Sequence, residues 1–232
     1  MKIKTADLIS ELDIKHDLLL SRIEPYKYNG TDTPDIVFDV SQKYYSDRQK
    51  EHPSLTPAEV EYLWSGAYFY EQLTRFNGLM LHASCVEYDG KAYLFSARSG
   101  TGKSTHTHLW LKYLNGARII NDDKPAIRYV DGVFYAYGTP WSGKTNESVN
   151  IGVPIGGIAF LSRGENSIKR IPGIKALKTF LNQTVRPDDK ELMKNMLDTL
   201  NKILCEVPIY ELSCDMSEQA VLTSLNGMRN VE

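Results

Sequence analysis

The stretch "KAYLFSARSGTGKSTHTHLWLKYL", residues 91–114, decides how this chain folds. It begins with an apolar run typical of a buried strand, continues through a glycine-rich loop, and ends in an apolar pattern of about three helical turns. Glycines let successive backbone N–H groups converge on an anion, and a helix that starts directly after them adds the positive end of its dipole. The stretch therefore predicts a phosphate-binding loop between a strand and a helix.

A second stretch competes for the same interpretation. "GTPWSGKT", residues 138–145, matches the pattern G-x-x-x-x-G-K-[ST] at every position, whereas "ARSGTGKS", residues 97–104, has Ala97 where the pattern has glycine. No helical periodicity follows the strict match, and Pro140 lacks an N–H donor that such a cradle would use. We therefore predict that the imperfect match binds phosphate; the alternative is a glycine-rich turn with an exposed lysine.

The predicted cradle consists of seven consecutive residues: Ser99, Gly100, Thr101, Gly102, Lys103, Ser104 and Thr105. In such a loop the lysine reaches the β- and γ-phosphates, and the serine hydroxyl holds Mg²⁺. These residue types in this order predict a nucleoside triphosphate as ligand.

An acidic pair follows the next predicted strand. "ARIINDD", residues 117–123, is apolar and ends in Asp122 and Asp123. A nucleotide site needs an acidic residue at the end of a neighbouring strand to hold Mg²⁺ directly or through water, and a second carboxylate can accept the proton of an attacking hydroxyl. The alternative is an Asx turn at a strand end. His82, on the strand that leads towards the loop, is by itself more typical of a structural histidine.

Composition narrows the expected partners. The 232 residues carry a formal net charge of -2, and no stripe of lysine and arginine stands out, so neither nucleic acid nor a membrane is an expected partner. The first residues lack the apolar stretch of a signal peptide, and no segment approaches the ~20 apolar residues that span a bilayer. Cys85, Cys205 and Cys214 follow no metal-ligand or disulfide spacing, which favours reduced thiols in a cytoplasmic protein.

Turn and cap signals place the other elements. Thr56, Pro57 and Glu59 predict the start of a helix that Asn77-Gly78 ends. "LMLHASCVEY" and "KAYLFSA" predict a hairpin, and residues 7–23 read either as a helix or as a strand followed by a helix. We further predict strands at 35–41, 117–123, 125–130, 133–138, 154–162 and 207–213, and helices near 174–183, 188–205 and 216–227.

Apolar positions of the two longer C-terminal helix patterns are expected in the core: Leu177, Phe180, Leu181, Leu192, Met196, Leu197, Leu200 and Leu204. Trp141, inside the strict match, either stacks on an adenine or a substrate side chain or is a structural aromatic.

The order of "LHASCV", "ARSGTGKS" and "INDD" resembles the phosphoenolpyruvate carboxykinase and HPr kinase superfamily over roughly residues 79–165. Carboxykinases carry a His-x-Ser strand, a loop of the form G-L-S-G-T-G-K-T and then Gly-Asp-Asp; HPr kinases show a similar succession. The resemblance implies an α/β fold with a mixed, α+β-like sheet and a carboxykinase-like phosphate-loop core. We predict that the core occupies residues 79–232 together with C-terminal helices and that a mixed α/β segment at residues 1–78 packs on it; the alternative is a single domain.

The resemblance also assigns roles. It implies that His82 is a metal ligand, that Lys103 binds phosphate and Ser104 magnesium, and that Asp122 and Asp123 bind metal or activate a substrate serine. We expect Asp123, backed by Asp122, to lie nearest the chemistry. The chain is shorter than a carboxykinase and is closer to small HPr-kinase-like proteins encoded beside peptide-modification systems. "SVNIGVPIGGIAF" stands without an arginine where HPr kinases carry an arginine-containing signature.

The expected function is that of a kinase using ATP (or GTP) with Mg²⁺, or Mn²⁺ in its place. Its acceptor is a hydroxyl, first of all a serine of a protein or peptide. Two alternatives stay open, a nucleotide-binding regulatory protein without catalysis and a small-molecule kinase on the same core. Lys144 is a second candidate cation if residues 138–145 fold over the site, and otherwise a surface lysine. A homo-oligomer is compatible with the sequence.

Overall fold

The structure, a computed structural model, describes residues 1–229. The first part of the chain forms a small sheet with three helices: β1 Lys2–Thr5, β2 Leu8–Glu11, α1 Asp17–Ile23, β3 Ile36–Val37, α2 Gln42–Glu51 and α3 Pro57–Leu73. Short 3-10 helices follow α1 at Glu24–Tyr26 and α3 at Thr74–Phe76. Of the two alternatives for residues 7–23, the chain adopts the strand followed by a helix.

The remainder is built around one large sheet. Its strands are β4 Gly78–Met80, β5 Ala83–Tyr88, β6 Lys91–Ser96, β7 Arg118–Asp123, β8 Ala126–Val130, β9 Val133–Tyr137, β10 Gly152–Arg163, β11 Ser167–Ile171 and β12 Ile209–Cys214. Its helices are α4 Lys103–Tyr113, α5 Gly173–Leu181, α6 Lys190–Glu206 and α7 Glu218–Arg229. Residues 230–232, which the predicted core includes, lie outside the described residues.

The large sheet is mixed and has nine strands, which confirms the predicted α/β class. Its path runs β4-β8-β9-β10-β6-β5-β7, and β12 joins β10 while β11 joins β12. The long strand β10 pairs antiparallel with β9 through its first residues and parallel with β6 and β12 further on. A register irregularity between Ile155 and Gly157 separates the two parts of β10. One continuous strand therefore links both halves of a curled sheet.

Local signals placed most boundaries correctly. Thr56 accepts a hydrogen bond from Glu59 N, the Glu59 carboxylate accepts one in return from Thr56 N, and Pro57 opens α3, so the predicted capping box is confirmed. Asn77 takes a left-handed φ of 53° and ends the helical segment. The hairpin turns at Asp89-Gly90 and Asp131-Gly132 have positive φ at both residues, as two-residue turns of this type require.

Two predictions about strands and core were wrong. "LMLHASCVEY" is two strands, because Leu81 and His82 interrupt it: β4 pairs with β8, β5 pairs with β6, and His82 N donates to Gln183 O. Leu197 is 43% exposed, because it lies off the stripe that buries Leu192, Met196 and Leu200. The strands β1 and β11 and the helix α2 were not predicted.

The sheet carries helices on both faces. One apolar core joins the strands to α5 and α6, and another joins them to α4 and α7. A third core combines residues of the first 73 positions with Met80, Ala126, Tyr137 and Trp141. The N-terminal segment thus shares its apolar interior with the large sheet, while the predicted division at residue 78 stays a prediction. Within residues 1–229, no helix combines the length and apolarity needed to cross a membrane.

Trp141 is structural. Its indole is 1% exposed, its ring centroid lies 4.8 Å from that of Phe69, and Nε1 donates to Ser65 Oγ at 3.0 Å. Gly66 allows this packing, because a Cβ there would lie 2.8 Å from the indole. Trp141 therefore fixes residues 138–145 to α3, and stacking on a ligand, one of its two predicted roles, is wrong.

We expect Trp141→Ala to lower the free energy of unfolding by about 3–5 kcal/mol, since it empties a large buried site. Trp64→Ala, which removes the same side chain from a half-buried position on α3, should cost distinctly less. Urea unfolding of both variants measures the difference. Equal losses would contradict the anchoring role of Trp141.

Candidate active site

Strand register brings the predicted loop and the acidic pair to the same edge of the sheet. Ala83, the first residue of β5, lies opposite Ser96 of β6 on one side and Asp123 of β7 on the other. Because β6 and β7 both run antiparallel to β5, their carboxyl ends point the same way. The loop after β6 and the carboxylates at the end of β7 therefore lie one strand apart.

The loop at 97–102 has the backbone that its glycines predict. Gly100 and Gly102 have φ of 78° and 123°, and Gly102 is the N-cap of α4. Ala97 has no positive φ and is buried, so the position where the pattern has glycine needs none here. Its departure from the pattern is thus compatible with a phosphate-binding turn.

Two cations hold the loop. Arg163, at the end of β10, donates from Nε to Thr101 O at 2.9 Å and from Nη2 to Gly100 O at 2.6 Å. Lys103 Nζ donates to Ala97 O at 3.1 Å. Burial lowers the pKa of Lys103, and the carboxylates of Asp123 and Asp122 oppose that shift. Arg163 thus engages the carbonyls of Gly100 and Thr101, and Thr101 N donates to Arg98 O within the loop at 3.2 Å.

Asp122 is buried and tied to the helix that follows the loop. Its Oδ1 accepts a hydrogen bond from Ser84 Oγ at 2.6 Å, and Ser84 Oγ lies 2.7 Å from Thr107 Oγ1 on α4. Its Oδ2 accepts from Thr145 Oγ1 at 3.1 Å. Asp122 therefore connects β5, α4 and the strict-match loop at 138–145.

Asp123 faces the cavity and is held ionised. Its Oδ1 lies 2.9 Å from His82 Nε2, and its Oδ2 accepts from Lys124 Nζ. Burial opposes ionisation, yet the hydrogen bond from His82 and the charge of Lys124 bring the pKa of Asp123 to about 2. Because the carboxylate is ionised, His82 Nε2 must carry a proton and donate it.

His82 is fixed from its other side by Gln183. Nδ1 lies 2.9 Å from the Gln183 side chain, whose amide can turn either its oxygen or its nitrogen towards the ring. The ring is therefore held whether it is neutral or charged. Both ring nitrogens are engaged in this arrangement, with Asp123 on one side and Gln183 on the other.

The strict-match loop packs on Asp123. Gly143 has φ of 77°, and a Cβ there would lie 2.6 Å from Asp123 Cβ. Gly143 N donates to Tyr62 Oη at 2.9 Å, and Arg22 Nη1 donates to Gly143 O at 2.6 Å. No helix follows this loop, as predicted. Residues of α1 and α3 thus hold it over the acidic pair.

These groups line one cavity of about 730 Å³. Six of the seven predicted loop residues border it; Thr101 faces two neighbouring cavities instead. His82, Asp122, Asp123 and Lys144 border it as well. Lys144 is exposed and forms no ion pair with any carboxylate of residues 1–229. The structure therefore brings together the residues that the sequence singled out.

Several residues of the site belong to no sequence motif and were not predicted. Arg22 belongs to a segment with two alternative interpretations, Tyr62 to a clearly predicted helix, and Gln183 follows α5. Arg163 lies about 60 residues from the loop that it supports, and only the pairing of β10 with β6 brings it near. Lys124 was not predicted either, although its position directly after the acidic pair is a sequence signal that could have identified it as a partner of Asp123.

The donor set suits Mg²⁺ bound together with phosphate. No group of three or more His, Cys, Asp or Glu side chains that could hold a metal occurs among the described residues. Mg²⁺ commonly takes one or two carboxylates and completes its shell with water and substrate phosphate, so it needs no all-protein cage. Asp122, Asp123 and the Ser104 hydroxyl provide oxygen donors of that kind on one cavity wall.

Comparisons with known proteins show only a remote structural similarity. No protein-family model matches the chain, and no curated protein matches it. Among solved structures, it is similar to the HPr(Ser) kinase/phosphatase from Coxiella burnetii, with 11% identity and a TM-score of 0.41. The match covers 65% of this chain and 88% of that one. A likeness this remote assigns no activity.

Asp123 makes the stability depend on pH in acid. Its pKa falls from 3.8 to about 2 on folding, so its contribution is complete above pH ~4 and is lost as the pH falls towards 2. We expect Asp123→Asn to cost about 2 kcal/mol of unfolding free energy at neutral pH. Urea unfolding at several pH values should show this cost shrinking below pH ~4; a constant cost would contradict the ionised state of Asp123.

The anchoring of Gly143 predicts a local change in hydrogen exchange. Tyr62→Phe removes the oxygen that accepts the Gly143 N–H, so this amide should exchange faster with solvent. Tyr68→Phe, on the same helix, removes a hydroxyl that bonds to Val37 O and should leave Gly143 unaffected. Equal exchange of Gly143 in both variants would show that Tyr62 does not hold the loop.

Proposed function

We propose that the protein is a Mg²⁺-dependent kinase that transfers the γ-phosphate of a nucleoside triphosphate to a hydroxyl group. One observation carries the proposal: a glycine loop with Lys103 and Ser104 shares a single cavity with the ionised Asp123. Phosphoryl transfer needs positioning and charge neutralisation more than covalent participation of the protein. The cavity offers both.

The phosphates would lie on the loop and on the first turn of α4. Backbone N–H groups there point towards the helix N-terminus, where an anion is stabilised. Lys103 supplies the charge nearest the transferred group, and Arg22, Lys124, Lys144 and Arg163 also border the cavity. Mg²⁺ would neutralise the phosphates while held by Ser104 and a carboxylate. This concentration of positive charge suits a highly anionic ligand in a protein whose overall charge is slightly negative.

Asp123 is the residue best placed to receive the acceptor hydroxyl. With a pKa of about 2 it is a weak base, so its role is to orient the hydroxyl and take its proton late in the transfer. His82 Nε2 holds Oδ1 of the carboxylate at 2.9 Å. Gly143 packs against the Asp123 side chain and limits its movement. His82 therefore positions Asp123, which is an alternative to the direct metal ligation implied by the resemblance.

The acceptor that we favour is a serine of a protein or peptide. Leu18, Leu55 and Leu63 of the N-terminal segment also line the cavity, and Leu63 is 39% exposed. An exposed apolar wall fits a peptide side chain better than a small polar metabolite. Competition by free serine in a transfer assay would instead support a small-molecule kinase.

A nucleotide-binding regulatory protein is the second candidate. Each oxygen of Asp122 and of Asp123 already has a partner within the chain, in Ser84, Thr145, His82 and Lys124. The acidic pair therefore has a structural use within the chain that does not depend on catalysis. Tight binding of ATP with Mg²⁺ and no transfer or release of phosphate would favour this candidate.

The direct test is transfer from γ-labelled ATP, with Mg²⁺, to components of a lysate of the source cell, with the labelled product identified by mass spectrometry. We expect Lys103→Ala and Asp123→Asn each to lower transfer at least about a hundredfold, since each removes a group that acts on the transferred phosphate or the acceptor. Asp123→Asn should leave ATP binding, measured by calorimetry, nearly unchanged.

Lys112→Ala serves as the control for Lys103→Ala. It removes a lysine from the other end of α4, away from the cavity. Its transfer rate should equal that of the unmodified chain. An unchanged rate in Lys103→Ala would show that residues 97–104 are not the phosphate cradle.

A further inference from the structure

A second cavity, of about 360 Å³, borders the phosphate loop at Thr101 and Gly102. It is formed by the first turns of α4, the end of β10 and the connection from β12 to α7. Its wall includes Leu109, Leu161 and Met216, and its rim includes Asp215 and Gly164. Its volume falls within the roughly 300–1,000 Å³ that is usual for small-molecule sites. Nothing in the proposed transfer chemistry uses it.

This cavity adjoins the phosphate site. Gly102, Thr105 and Arg163 border both. A third cavity, of about 890 Å³, also touches the loop, but Arg163 alone borders both it and the phosphate site. The second cavity therefore meets the phosphate site along Gly102 and Thr105 as well as Arg163, which is the direction we consider for a ligand whose phosphates occupy the loop, whereas the third meets it only at Arg163.

The surfaces of the second cavity are complementary to a nucleoside. Met216 is 76% exposed, the highest value among the exposed large apolar side chains of residues 1–229, and with Leu109 it offers an apolar face of the kind a planar base covers. Asp215 Oδ1 accepts hydrogen bonds from Ser217 N and Ser217 Oγ, and the Asn166 side chain also lies close to this carboxylate. A carboxylate oxygen has two lone pairs, so it can accept a further hydrogen bond from a ribose hydroxyl or from an amino group of the base.

We propose that this cavity holds the nucleoside of the nucleoside triphosphate, with the base against Met216 and Leu109. The inference rests on the proposed function, because it takes the loop at 97–104 as the phosphate site. The γ-phosphate then lies towards Lys103 and Asp123, and the α-phosphate towards Thr105 and the shared border. Arg163 separates the base from the third cavity and fixes the loop between the two ends of the nucleotide.

Calorimetry with two ligands separates nucleoside recognition from phosphate recognition. ATP and inorganic tripolyphosphate, each with Mg²⁺, are titrated into the full chain and into Met216→Glu. We expect ATP to bind the unmodified chain more tightly than tripolyphosphate. Met216→Glu should weaken ATP about tenfold through lost apolar contact and leave tripolyphosphate unchanged. GTP and 2′-deoxy-ATP titrations then show whether base or ribose contacts dominate.

Two matched variants control this test. Ile174→Glu introduces the same charge in place of a 71% exposed apolar residue on α5, outside the second cavity, and should not alter either affinity. Thr179→Glu introduces a carboxylate into the third cavity and should also leave ATP binding unchanged.

Weaker ATP binding in Thr179→Glu with normal binding in Met216→Glu would place the nucleoside in the third cavity and overturn the proposal. Equal affinity of the unmodified chain for ATP and tripolyphosphate would overturn it too, while leaving the phosphate loop intact. Failure of both ligands to bind the unmodified chain would instead overturn the proposed function on which the inference rests.

Discussion

The antiparallel pairing of β5 with both β6 and β7 is the constraint on which the site depends. Ala83 lies opposite Ser96 and Asp123, so the glycine loop and the carboxylates emerge at one edge without any long connection. A slip of one residue in either pairing would turn Asp123 to the opposite face of the sheet. Ser84 stabilises this register through Asp122 and Thr107, which joins the acidic strand to the helix after the loop. The hydrogen bonds that fix the strand register therefore also position the acidic pair.

The N-terminal segment completes the site from outside the sheet. Trp141 fixes the strict-match loop to α3, and Tyr62 with Arg22 holds Gly143 against Asp123. Asn121 also connects the two loops' strands, because its side chain donates to Thr139 O and accepts from Asp123 N. The second glycine-lysine stretch is thus held in place as a cover over the acidic pair. Residues 138–145 therefore match the phosphate-loop pattern but serve to contact the acidic pair, which requires no helix after them.

The sequence predicted the parts of this site that depend on local chemistry. Glycines at 100 and 102 need positive φ, and Asp89-Gly90 needs a two-residue turn; both follow from residue type alone. What it could not predict depends on distant pairing. Arg163 reaches Gly100 only because β10 lies beside β6, and His82 leaves the hairpin strand only because Gln183 pairs with its backbone. Tyr62 belongs to a well-predicted helix, yet nothing in the helix pattern shows that its hydroxyl reaches Gly143.

We propose that residues 97–104, the imperfect match, bind phosphate and that residues 138–145, the strict match, cover it. A crystal structure with Mg²⁺ and an ATP analogue that cannot transfer its γ-phosphate tests this most directly. We expect phosphate oxygens within hydrogen-bond distance of the backbone N–H groups of residues 100–105, with the γ-phosphate facing Asp123. Phosphates bound instead to the backbone of residues 138–145, or at a place remote from both loops, would contradict it.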